Sequence, residues 1–321
     1  MKLFKRQALG IKVEATQGTP VVPATATDYV KVIDDISIDP VPEVIQRDVR
    51  RASLDNITHL VGGRYTKVKF KVEATGSGTR GTKTIAGYAG VDAALEACGF
   101  VSVAVGATSI TYSPTSVPAS GSFFGPGKSV TLEVYKDGHK HIVAGSLGTV
   151  KITGGAGEIP MFEFEFQGVY ADPTDVAVPT PTFAIPTPPL LMSGTVTVQG
   201  LAAILSKLEV DVANKITRRL DAASATSIKG FVITDRDPKG SIQIEAESVA
   251  THAFHNRLMV ATEASVSFAW GSTSGNIITM TMPNSQYNDV QYQNREDLLD
   301  FSIPLQFNQN SGDDWISIVV T

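Results

Sequence analysis

Lys67-Val-Lys-Phe-Lys-Val-Glu-Ala74 sets Val68, Phe70 and Val72 against Lys67, Lys69 and Lys71, and this alternation decides the fold. A period of two turns one face to a core and the other to water, as a half-buried antiparallel strand requires. The same period runs outward through the chain. In the first half it appears at Ile36 and Ile38, at Val130, Leu132 and Val134, and at Phe162, Phe164 and Phe166. In the second half it appears at Leu208, Val210 and Val212, at Ile242 and Ile244, at Val266, Phe268 and Trp270, and from Phe301 to Phe307. Lys136-Asp-Gly-His139 supplies an Asp-Gly hairpin turn. Helical spacing is confined to Val91, Leu95 and Cys98 over 90–98 and to Ala250, Phe254 and Leu258 over 248–260. The expected fold class is mainly β.

The opening stretch has a counterpart, Lys239-Gly-Ser-Ile-Gln-Ile-Glu-Ala246, displaced by 172 residues. At that displacement Ile36, Ile38 and Asp39 fall on Leu208, Val210 and Asp211, and Val44 and Arg47 on Ile216 and Arg219. Val61 and Arg64 fall on Ile233 and Arg236. Beyond the helices, Ser129-Val-Thr-Leu132 aligns with Ser265-Val-Ser-Phe268, and Phe162–Phe166 with Phe301–Leu305. The reading is a duplicated β-rich domain, with copies over 29–171 and 190–321. Residues 172–189 carry six of the 17 prolines and read as a semi-rigid extended linker. Residues 1–28, rich in Thr, Gly, Pro and Ala after Ala15, read as an irregular arm, either disordered or docked on a neighbouring chain.

Composition narrows the function. The chain of 321 residues is long enough for about two domains. Charged residues make up 18%, below the roughly 25% of an ordinary soluble domain, so hydroxyls, amides or a partner must cover the surface. A net charge of −5 argues against a protein that grips nucleic acid through phosphate contacts. One cysteine, Cys98, rules out an intrachain disulfide framework and a multi-thiolate metal site. The basic amino end is followed by no apolar stretch of signal-peptide length, and no segment is apolar enough to span a membrane. The chain reads as made in the cytoplasm and soluble.

No constellation of residues reads as an active site, and no cofactor is expected. His252-Ala-Phe-His255 offers two imidazoles but no third ligand. Gly76-Ser-Gly-Thr-Arg-Gly81-Thr-Lys83 lacks the Gly-Lys spacing of a phosphate loop. His139 and His141 flank a hairpin turn near Asp137, with no strained nucleophile turn beside them. Cys98 sits on an apolar helix face and reads as a small buried hydrophobe. Arg47, Arg50 and Arg51, and Arg218 and Arg219, are interspersed with Asp48, Asp55 and Asp221, a mixture suited to ion pairs between proteins.

Val13-Glu-Ala-Thr-Gln-Gly-Thr-Pro20 followed by Asp34-Asp-Ile-Ser-Ile38 is similar to the opening of the major tail (tail tube) proteins of long-tailed bacteriophages, a family that the order of segments resembles. Phe70-Lys-Val-Glu-Ala-Thr-Gly-Ser-Gly-Thr79, leading to Leu95-Glu-Ala-Cys-Gly-Phe100, resembles its strand, Gly-rich loop and helix. Arg236-Asp-Pro-Lys-Gly-Ser241 and Trp270-Gly-Ser-Thr-Ser-Gly-Asn-Ile-Ile278 resemble its later segments. The resemblance implies two tandem β-sandwich or barrel domains, each with one flanking helix, in rings that stack as a hollow tube for DNA. It also implies tape measure, terminator and tip proteins as partners.

Duplication then suggests three chains per ring in place of six. With the four inner strands per domain that the resemblance implies, spaced about 4.8 Å apart and tilted about 40°, twelve strands enclose a bore of roughly 12 Å after side chains, and twenty-four roughly 36 Å. A duplex on the order of 20 Å across needs the larger number. The polar connections Asp39 to Asn56 and Asp211 to Ile228 are expected to bridge adjacent rings, with Arg47, Arg50, Arg51, Arg218 and Arg219 pairing across the gap. Deletion of residues 43–54 should then abolish tubes and spare the fold. Acidic residues are expected to dominate the bore. The alternative reading is a β-sandwich binding, adhesion or decoration module of a virion.

Overall fold

The computed structural model describes residues 2–53 and 55–321. Strands β1 (Gln7–Val13), β2 (Tyr29–Val30), β3 (Val32–Ile45) and β4 (Leu60–Glu73) precede helix α1 (Ala89–Ala97). Then come β5 (Phe100–Val105), β6 (Ser109–Pro114), β7 (Val130–Lys136), β8 (His139–Gly155) and β9 (Met161–Val169). β10 (Thr174–Asp175) closes the first half, and the second half opens with β11 (Thr195–Val198), β12 (Leu201–Ala202) and β13 (Leu205–Asp211). After these run β14 (Asn214–Leu220), β15 (Ile228–Arg236), β16 (Lys239–Glu245) and helix α2 (Phe254–Met259). The chain ends with β17 (Ala264–Trp270), β18 (Ile278–Tyr287), β19 (Gln291–Arg295), β20 (Leu298–Asn308) and β21 (Ser317–Val320). The protein is mainly β, with open sheets packed as in a β-sandwich.

One antiparallel sheet runs through both halves in the order β3-β4-β9-β8-β13-β16-β20-β19. A second layer is built as β2-β1-β7-β8-β10 in the first half. Its partner in the second half is β12-β11-β17-β18-β21, continued by β6 and β5. β8 serves both layers: His139 to Ser146 pair with β7, and beyond a register shift between Ala144 and Leu147 the strand pairs with β9. At that bend Gly145 takes a φ of +61°, which a side chain disfavours.

Pairing repeats between the halves. Ile38 faces Val68 and Asp39 faces Lys67, as Val210 faces Gly240 and Asp211 faces Lys239. Val44 faces Val61 as Ile216 faces Ile233, and the ladder is irregular just before both pairs. Phe70 faces Phe164 as Ile242 faces Ile303. Leu132 faces Val143 as Val266 faces Met282, so the sequence match of Ser129–Leu132 with Ser265–Phe268 slips by two residues. His139 faces Asp175 as Ile278 faces Val320. The β5–β6 hairpin, between α1 and β7, has no counterpart between α2 and β17.

Among the described residues the main core is one continuous cluster that draws on both halves, from Leu9 to Val320, with two smaller clusters beside it. At the β8–β13 junction Ile152 and Val210 are both buried, so the halves share their interior. Phe70 stacks on Phe164 at 5.2 Å and on Phe166 at 5.8 Å. Full burial of each ring contributes on the order of 2–3 kcal/mol, and each aromatic pair about 0.5–1.5 kcal/mol more.

Three sequence expectations change. Residues 7–13 are not part of an irregular arm: they form β1, between β2 and β7, with Leu9 and Ile11 buried. The second helix spans Phe254–Met259 and not 248–260, because Ser248 turns the chain and its hydroxyl meets that of Thr251 at 2.8 Å. The connections expected from Asp39 and Asp211 start later, since β3 continues to Ile45 and β14 to Leu220. The proline-rich stretch 172–189 pairs with β8 through β10 and is held further along its length. Val176 N–H donates to Gly138 O at 3.0 Å, Ala184 N–H to Ala86 O at 2.9 Å and Asn276 Nδ2 to Thr187 O at 2.9 Å. Among the described residues no helix is long and apolar enough to cross a membrane.

Candidate assembly surfaces

The eight-stranded sheet packs one face on the core and leaves the other polar. Alternation places Lys69 and Lys71 beside Glu165 and Glu163, at 2.8 and 2.7 Å, and Lys151 beside Glu209 at 2.7 Å. The hydrogen bond to Glu209 holds the Lys151 ammonium above the ordinary lysine range, and burial opposes it. The face is grooved where Asp35, Ser37, Lys71, Glu163, Lys151 and Asp211 come together across five strands. Each pair is partly solvated and contributes roughly 0.2–1 kcal/mol. Its larger effect is to cancel charge, so this face is mixed and not acidic.

The two ends of this sheet are open. Among the described residues β3 pairs only with β4, and β19 only with β20, so each presents one edge without a strand partner there. Gln291, Tyr292, Gln293 and Asn294 are exposed along β19, with Tyr292 at 64%. The β3 edge is blunted by Pro40 and Pro42, which have no N–H, and by Gln7, whose Oε1 accepts the Ile36 N–H at 3.1 Å. Such devices restrain indiscriminate strand pairing. Behind β19, Arg295 Nε donates to the buried Asp300 Oδ2 at 2.8 Å, while Asp300 Oδ1 has no hydrogen-bond partner among the described residues.

The arginines singled out in the sequence divide into two groups. Arg47, Arg50 and Arg51 lie exposed in the connection between β3 and β4, where Arg50 approaches Asp48 at 3.5 Å with both side chains in water. Arg218 and Arg219 lie on β14 and are engaged within the chain. Arg218 pairs with Glu43 and lies over the Tyr65 ring at 4.8 Å. Arg219 lies over Phe124 at 3.9 Å. Behind them Ile228, Phe231 and Ile233 pack with Leu147 against Tyr65 and Val169. The β14–β15 hairpin therefore clamps the second half onto the first.

Contacts that sequence reasoning missed strengthen this joint. Arg236 Nη2 donates to Gly99 O at 3.3 Å and Thr115 O at 3.2 Å, at the end of α1. Gly76 and Gly275 meet backbone to backbone: a Cβ on Gly76 would stand 2.1 Å from Gly275 O. The Gly76–Gly81 loop thus docks on the Trp270–Ile278 loop, through Gly78 N–H to Gly275 O at 2.9 Å and Gly76 N–H to Asn276 Oδ1 at 2.7 Å. Buried Glu14 accepts hydrogen bonds from Gly18, Ser129, Thr131 and Gly145 at 2.6–2.8 Å. It fixes the turn after β1 to β7 and β8.

The histidines separate. His252 is buried against Tyr287, with Nε2 3.1 Å from the phenol oxygen, and burial and Arg257 push its pKa down. His255 lies exposed beside Tyr292. Asp137 and Gly138 form the β7–β8 turn, both at positive φ. Cys98 is fully buried, and burial raises its thiol pKa well above the ordinary range. The features that remain are surfaces for assembly: a long sheet with two open ends, a polar face and a clamp between like units.

The sequence matches the phage tail tube protein family over residues 5–308. The chain belongs to the phage tail tube protein family. Comparison with curated protein sequences returned no match. The family is structural and not enzymatic, and membership makes this chain a component of the bacteriophage tail, where it self-assembles into the tube alongside other tail proteins. The open sheet ends and the mixed polar face are therefore surfaces of a tail tube protein.

Proposed function

We propose that three copies of this chain close into a ring in which the eight-stranded sheets join end to end as a single barrel, and that rings stack into the tube through which DNA passes. The observation that carries the proposal is the recurrence of one four-strand set, β3-β4-β9-β8 and β13-β16-β20-β19, within a sheet open at both ends. Two β-sandwich units per chain, joined by the proline-rich stretch, give the ring pseudo-sixfold symmetry. Twenty-four strands enclose a bore of roughly 36 Å, wide enough for a duplex. The grooved polar face lines that bore. Its Lys–Glu pairs leave little net charge, and screening over about 8 Å confines what remains to near contact, so DNA slides without sticking.

The connection carrying Arg47, Arg50 and Arg51 reaches the adjacent ring and pairs with carboxylates there. Arg218 and Arg219 support the same end of the ring from within, by holding β14 on the first half. Assembly takes place in the host cytoplasm, with tape measure, terminator and tip proteins setting length and ends. Electron microscopy of purified protein tests the reading: filaments of constant width with a central channel are expected, and discrete monomers at all concentrations would contradict it.

A further inference from the structure

The joint within the chain serves as a template for the joint between chains. β8 and β13 pair with Lys151 facing Asp211, Ile152 facing Val210, Thr153 facing Glu209 and Gly155 facing Lys207. β19 occupies the place of β8 beside its own neighbour: Gln291, Tyr292 and Gln293 face Ser302, Phe301 and Asp300. In the same way Lys151, Ile152 and Thr153 face Glu163, Phe162 and Met161. β3 occupies the place of β13, since Ser37, Ile38 and Asp39 face Lys69, Val68 and Lys67 as Glu209, Val210 and Asp211 face Ser241, Gly240 and Lys239.

We infer that the β19 edge of one chain pairs antiparallel with the β3 edge of a second copy, with Gln291 facing Asp39, Tyr292 facing Ile38, Gln293 facing Ser37 and Arg295 facing Asp35. This rests on the ring reading above and fixes the register within it. Four features of the two edges suit that register. Tyr292, 64% exposed, meets Ile38 where Ile152 meets Val210, so an apolar side chain is covered at the centre of the joint. Arg295 meets Asp35, opposite charges at the rim, each adding to a partner it already holds within the chain, Asp300 for Arg295 and Lys136 for Asp35. In the internal joint Val212 N–H extends the ladder to Val150 O; Pro40 stands in Val212's place and ends the ladder at Asp39. The Ile36 N–H, held by Gln7 in the free chain, exchanges that side chain for Asn294 of the second copy.

The clamp does not transfer in the same way. Leu147 and Val169, which receive the β14–β15 hairpin, stand where Gln286 and Asn308 stand in the second half. The strand joint is thus the part of the internal interface that the second copy reproduces.

Cysteine trapping tests the register, since Cys98 is the chain's one cysteine and is buried. Ser37 and Gln293 would form a directly opposed pair that shares no ladder hydrogen bonds, with Cα atoms about 4.5 Å apart and within disulfide reach. Ser37→Cys with Gln293→Cys, and independently Asp39→Cys with Gln291→Cys, should convert most of the assembled protein into covalent chains of up to three copies on non-reducing gels. Asp35→Cys with Gln291→Cys is four residues out of register, roughly 13 Å along the strand, and should leave monomers. Tubes that form normally while both in-register pairs stay unlinked, or while the displaced pair links, overturn the register and leave the ring standing. If the unmodified chain makes neither rings nor tubes, the ring reading fails first and the register with it.

Discussion

Ile152 and Val210 stand opposite each other across the β8–β13 ladder, both buried, and this pair makes one interior of what the sequence repeats as two. Val210→Ala should lower stability by roughly 2–3 kcal/mol, the usual cost of deleting buried methyl groups. Calorimetry of this variant and of the parent should show one cooperative transition in each. Two resolved transitions in the parent would mean that the halves fold independently.

Glu14 is the buried acceptor for four donors around the β1–β7–β8 corner. Glu14→Ala strands all four and should cost roughly 3–5 kcal/mol in urea unfolding, because each unsatisfied buried donor costs about 1–3 kcal/mol and some rehydrate. A loss below about 1 kcal/mol would show that water replaces the carboxylate freely.

Asp92 lies beside Glu96 on α1 and accepts a hydrogen bond from Tyr112 at 2.9 Å. Burial, then Glu96, raise its pKa above the ordinary value, and Lys83 opposes them. A raised carboxyl pKa means that the native state binds the proton more tightly than the unfolded chain. Stability contributed by the protonated form is therefore lost as pH rises from 3.8 through the native value. Asp92→Asn keeps an acceptor for Tyr112 and removes the titration. Its advantage over the parent should grow with pH across that window and level off above it, read from urea midpoints between pH 4 and 8. A disadvantage that grows with pH would show that the Lys83 ion pair outweighs burial.

Arg47, Arg50 and Arg51 are exposed in the β3–β4 connection. Reversing all three to Glu should leave the melting temperature within a few degrees, since surface changes of this kind usually cost under about 0.5 kcal/mol each. Tube length seen by negative stain should drop at least tenfold, with rings still present. Tubes of normal length from this variant would remove the proposed ring-to-ring role of these residues.

Much of the fold was legible because a period of two is a local signal. The alternations at Val68–Val72, Phe162–Phe166 and Leu208–Val210 each read directly onto a strand, and the displacement of 172 residues carries Ile38 and Val68 onto Val210 and Gly240 in matching register. β1 was hidden. Leu9, Ile11 and Val13 alternate, but Gly10 breaks the pattern because a Cβ there would stand 2.8 Å from Pro23, and the Thr/Pro-rich residues that follow suggested an arm. The second helix is shorter than its spacing suggests because Ala250 keeps helical spacing while Ser248 turns the chain. At the assembly surfaces the residue types were visible and their partners were not. Nothing local to Arg218 or Arg219 announces Tyr65 and Phe124, which lie more than 90 residues away in sequence.

The central claim is that one chain supplies two of six like units around the tube. Cryo-electron microscopy of tubes, resolved well enough to trace chains in cross-section, measures this directly. The account predicts three chains per ring, with the inner wall running β19 to β3 at each boundary between chains. Six chains per ring, or an inner wall built from other strands, would contradict it.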